Sequence, residues 1–83
     1  MMIIAPIKTE KAIGKIEYEN SLTFRVKLDT DKNGIKKEVE SLFGVKVLSV
    51  RTAITPEGEK HAVVRLAKEF KADDVAAKLK MIA

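Results

Sequence analysis

The sequence predicts an α+β fold, a three- or four-stranded, mostly antiparallel sheet packed with helices. Three observations carry that expectation. Apolar and polar residues alternate strictly from Ser21 to Leu28, apolar residues recur at helical spacing behind capping residues, and two β-branched segments flank a short turn holding Pro and Gly. The chain has 83 residues, 46% hydrophobic and 34% charged, which allows one domain (1–83) with a small core and excludes a disordered tail.

Met1 to Ile7 is apolar but holds Pro6, which cannot donate to a ladder, so it reads as a short edge segment or an extended arm. Thr9 then serves as an N-cap and Glu10 meets the helix dipole. Ala12, Ile13 and Ile16 form the apolar side of a first helix that ends at Asn20. In the strand Ser21–Leu28, the set Leu22, Phe24, Val26 and Leu28 is the core side, and Thr23, Arg25 and Lys27 form a basic outer side. Asp29-Thr30-Asp31 is a turn, with Asp31 capping a second helix from about Lys32 to Phe43. Its stripe is Ile35, Val39, Leu42 and Phe43, and Gly44 is its left-handed terminator. Val45 to Ile54 is strand-like, with a phase slip between Val47 and Leu48 that marks either a bulge or the place where connector becomes strand. Thr55 to Glu59 turns into a strand from Lys60 to Ala67. Asp73 and Asp74 open a last helix with Val75, Ala76, Leu79 and Ile82 on one side and Lys78 and Lys80 near its end.

The composition excludes several chemistries. With no Cys and a single His, neither disulfides nor a thiolate or histidine-rich metal site is available. No cofactor is expected. His61 has no recognisable triad partners and reads as a solvated strand residue, while Asp73 and Asp74 diverge by about 100° on a helix and do not make an acid–base pair. The four glycines are isolated, so no phosphate-binding loop occurs. The chain is not expected to be an enzyme. It has no apolar run of membrane-spanning length and MMIIAPI lacks the marks of a signal peptide, so a cytoplasmic location is expected.

Charge points elsewhere. Sixteen Lys and Arg against twelve Asp and Glu leave a formal net charge of +4, which suits a polyanionic partner. Lys32, Lys36 and Lys37 stand in the first half of the second helix, where the dipole disfavours cations. They are either a phosphate-binding surface or a solvated face balanced by Glu38 and Glu40. On the strands, Arg25, Lys27, Lys46, Arg51, Lys60 and Arg65 can meet on one surface if the strands pair, an arrangement suited to reading folded RNA through phosphates and 2′-hydroxyls. Aromatic residues do not recur on the middle strands, as base stacking by a sheet requires. Phe24 and Phe43 fall on core periodicities, whereas Tyr18 and Phe70 lie near element ends and are either core or exposed.

Pro6-Ile7-Lys8-Thr9-Glu10-Lys11-Ala12, Phe24-Arg25-Val26, the run from Ile35 to Val47, Val50-Arg51-Thr52, and the strand from Lys60 to Leu66 resemble, in order and over nearly the whole chain, the universal large-subunit ribosomal protein L23 family. The resemblance implies binding to the third domain of 23S rRNA beside the polypeptide exit tunnel. It also implies a place next to ribosomal protein L29 and a docking site for nascent-chain factors, signal recognition particle among them. Lys8, Lys11, Thr52, His61 and Lys68 join the cations above in the expected RNA-binding set. Glu10 matches the family's docking glutamate and Phe43 an aromatic near that surface, but Gly44 stands where bacterial members often carry an acid. The Thr55–Glu59 turn replaces the long basic loop of bacterial members, and no long basic N-terminal extension is present. Both features resemble archaeal members and imply that another protein occupies the inner tunnel position. The other reading is a small free-standing regulatory or ligand-binding domain.

Overall fold

The computed structural model describes the backbone of residues 3–7 and 9–82 and the side chains of 5–7 and 9–77. The expectations for Lys8, Lys78, Leu79, Lys80 and Ile82 therefore lie outside the described residues or side chains. In chain order the elements are β1 (Ile3–Pro6), α1 (Glu10–Glu19), β2 (Ser21–Val26), α2 (Lys32–Phe43), β3 (Val47–Ile54), β4 (Lys60–Leu66) and α3 (Ala72–Ile82). The strands form one antiparallel sheet in the order β1-β2-β4-β3, so the fold is α+β with four strands. Pro6 sits on an edge strand, where a missing N–H is tolerated.

Register decides which side chains share a face. Leu22 lies opposite Val64 and Phe24 opposite Ala62, and across β4 Val50 lies opposite Val64. Leu22, Phe24, Val26, Ala62, Val64 and Leu66 are thus core, closed by Ile35 and Val39 of α2 and joined by Ala72 and Val75 of α3. Phe43 stacks on Phe24 with ring centroids 6.2 Å apart. The expected slip in β3 is present as an irregularity between Val47 and Ser49, and it leaves Leu48 exposed.

The local signals act as the sequence implies. Thr9 accepts from the Ala12 amide and Asp31 from the Gly34 amide, each satisfying a free donor of a helix start. Gly44 ends α2 at φ 62° and its N–H donates to the Glu40 carbonyl. The hairpin turn closes with Gly58 N–H donating to Thr55 O, with Pro56 at the second turn position and Gly58 at φ 85°.

Three expected core residues are not core. β2 stops at Val26, because Thr30 returns both its N–H and its hydroxyl to the Lys27 carbonyl, and the resulting turn carries Leu28 into solvent. Leu42 is 48% exposed, since Phe43 fills the place against Phe24 at the end of α2. Ile13 is 47% exposed, about 100° around α1 from Ala12, which is the residue buried there. Tyr18 is exposed, and Phe70 is half-buried against the core.

Candidate nucleic-acid interface

Alternation that sends the apolar residues of β2 and β4 to one side necessarily sends Thr23, Arg25, His61, Val63 and Arg65 to the other. Arg25 lies opposite His61 and Thr23 opposite Val63, while β3 adds Arg51 opposite Val63 and Ala53 opposite His61. This face is flanked by α1. Thr9, Lys11, Ala12 and Lys15 wall an open groove floored by Thr23, Arg51, Ala53, His61 and Val63, with Ile7 and Thr52 completing the lining. Ala12, 4% exposed, lets the helix approach closely, and Lys11 and Lys15, four apart, stand on one side of it. No carboxylate occurs among the described residues that line the groove.

The arginines have carboxylate partners just outside that lining. Arg51 Nη2 donates to Glu19 Oε1 at 3.2 Å, and Arg25 Nη1 donates to Glu59 Oε2 at 2.9 Å. The hydrogen bond from Arg25 holds the Glu59 carboxyl below its ordinary pKa, against a smaller opposing effect of desolvation. His61 Nε2 stands 3.6 Å from Glu59 Oε1, too long for a good hydrogen bond and an ion pair only when the imidazole is protonated. Such exposed pairs are weak and salt-screened, so a phosphate can replace either carboxylate at its arginine.

The structure gathers only part of the expected basic set. Arg25, Arg51, Arg65 and His61 share the outer face, and Lys11 joins them from α1. Thr52 lies opposite Ala62, with the core parity of its strand, but contributes to the groove lining. The Lys60 side chain does not join that surface. Lys60 lies opposite Val26, and its ammonium donates to Thr30 O at 2.7 Å and to Leu28 O at 3.4 Å, tying down the turn after β2. Lys27, Lys46 and Lys68 are exposed in connections, and Lys32, Lys36 and Lys37 are exposed on α2, which packs on the opposite side of the sheet. Glu40 does not simply balance them, because its Oε2 accepts the Val47 N–H at 3.0 Å and starts β3. The sequence reading missed Lys15, Thr9 and Thr23 as groove residues. The available signal was the four-residue spacing of Lys11, Lys15 and Glu19, which places a basic flank beside the partner of Arg51.

Glu10 is exposed in the first turn of α1. Phe43 is half-buried with its ring 11° from parallel to Phe24, so it acts mainly as part of the core's edge. Among the described residues no group of His, Asp and Glu is placed to hold a metal ion, and no helix is long and apolar enough to cross a membrane.

The family model described as Ribosomal protein L23 matches residues 1–75. The large ribosomal subunit protein uL23 of Thermoplasma acidophilum is 46% identical over 78 residues, an alignment covering 94% of this chain and 92% of that one.

Proposed function

The chain belongs to the ribosomal protein L23 family, and from that premise we propose that it binds 23S rRNA in its third domain, beside the polypeptide exit tunnel, as a structural part of the large subunit. Its work is then non-catalytic and done on the cytoplasmic ribosome, with residues 1–83 acting as one rRNA-binding domain. The observation that carries the reading is the groove between α1 and the outer sheet face. Lys11, Lys15 and Arg51 line it together with His61, Thr9 and Thr52, and no carboxylate opposes an incoming phosphate from the described lining. An open surface of this kind suits folded RNA, whose shape and 2′-hydroxyls are read together with its backbone.

Titration of the full chain with a fragment of the third rRNA domain across a salt series tests this reading. Three phosphate contacts from Lys11, Lys15 and Arg51 give a log–log slope of about −2 to −3, since each neutralised phosphate contributes about −0.7 to −0.9. A flat dependence would mean that the groove is a solvated surface.

The family resemblance also supports a place beside L29 and docking of signal recognition particle through Glu10, with Phe43 near that surface. Glu10 is exposed on α1, where a partner can reach it without disturbing the core. Subunits carrying Glu10→Lys should assemble normally and bind that particle less tightly at fixed ionic strength, because the reversed charge repels basic groups on the factor. Unchanged affinity removes the docking role from this residue.

A further inference from the structure

We propose that Tyr18 is a stacking platform for an unpaired base of the bound RNA, set beside Lys11 and Lys15 at the outer lip of the groove. The inference rests on rRNA binding by the groove and adds to it a base contact made by a helix rather than by a strand. Tyr18 is 86% exposed, and among the described residues nothing holds its ring or its hydroxyl. On α1 it follows Lys15 by three residues and Lys11 by seven, so all three lie within about 60° of one another around the helix. Its acidic neighbours Glu17 and Glu19 project about 100° to either side, and Glu19 is held by Arg51.

Gly14 is the second observation. It stands four residues before Tyr18, inside the helix, where glycine is the poorest choice after proline. No backbone requirement explains it, because its φ is not positive, and no packing requirement does, because an added Cβ would meet nothing within 4 Å. The missing side chain leaves the backbone one turn before Tyr18 uncovered, since no side-chain atom, the Tyr18 ring included, comes within 4 Å of where a Cβ would stand. The result is an aromatic face with open backbone beside it and two ammonium groups along the same flank. A nucleotide fits that combination, its base on the ring and its phosphates on the lysines. The two cations and the carboxylate-free lining of the adjoining groove favour this polyanion over a protein partner.

The chain offers a direct probe, because Tyr18 is its only tyrosine and it has no tryptophan. Intrinsic emission of the full chain therefore reports on this ring alone. On titration with the third-domain rRNA fragment, emission should be quenched in step with the anisotropy of the labelled RNA. Tyr18→Phe should bind as the wild type does, and Tyr18→Ala should bind roughly 5- to 150-fold more weakly with an unchanged salt slope. Binding without quenching, wild-type affinity in Tyr18→Ala, or a Tyr18→Phe variant as weak as Tyr18→Ala would each overturn the platform. Absence of RNA binding by the wild type is a different result, which overturns the rRNA reading and the platform together.

Discussion

Asn20 ends α1 in the left-handed region at φ 51° and turns its side chain to the far end of the sequence. Its Nδ2 donates to Phe70 O at 2.9 Å and lies within 3.3 Å of Leu66 O and Ala67 O, while Oδ1 accepts from Ala72 N–H at 2.7 Å. One side chain thus joins the start of β2 to the end of β4 and caps α3. Asn20→Gly keeps the backbone conformation but leaves these groups without partners, and should cost about 1–3 kcal/mol in urea unfolding. Asn20→Ala should be worse, because a Cβ at positive φ adds roughly 1 kcal/mol or more. Glu59 offers a prediction with a defined sign. Its folded pKa is lowered by the Arg25 hydrogen bond, so its contribution to stability is present above the unfolded pKa and is lost as pH falls through the lower, folded value. Carboxyl NMR titration should therefore find Glu59 returning toward its ordinary pKa in Arg25→Gln. The stability gap between this variant and the wild type should shrink on acidification through that window. Neither Asn20's ties nor Glu59's pairing was legible in sequence, since their partners lie 46 to 52 and 34 residues away.

At the scale of elements, α2 shows where local pattern succeeds and where it stops. Asp31, the Ile35 and Val39 stripe, and Gly44 behaved as read, because caps and periodicity are properties of neighbouring residues. Leu42 fits the same periodicity and is nevertheless 48% exposed, because the ring beside it, Phe43, takes the contact with Phe24. Ile35→Ala should therefore cost about 2–5 kcal/mol. Leu42→Ala should cost about 1 kcal/mol or less, judged by partial burial. Comparable losses from the two in denaturant midpoints would mean that α2 sits differently on the sheet. Leu28 makes the corresponding point for β2, whose alternation continues in sequence past the place where the Lys27–Thr30 turn ends pairing.

For the molecule as a whole, the sheet separates two basic populations. Lys11, Lys15 and Arg51 line the groove, and Lys32, Lys36 and Lys37 ride on α2 across the sheet from it. If the groove is the principal RNA surface, Lys11→Ala and Arg51→Ala should each reduce the magnitude of the salt slope by about 0.7 to 0.9. Lys36→Ala should change binding less, with cooperative unfolding retained in all three. Equal losses at Lys36 and Arg51 would extend the RNA surface around α2. The α+β class, the order of elements, the phase slip in β3 and the net positive charge were legible in the chain alone, since each follows from composition or from residues a few positions apart. The family too was legible in ordered blocks of residues. Folding across long stretches of chain is what puts Arg25, Arg51 and His61 on one face, ties Lys60 down in a turn, and brings Lys15 of α1 to the groove. Strand order and register set those proximities, and they depend on which distant residues bury one another's apolar surface.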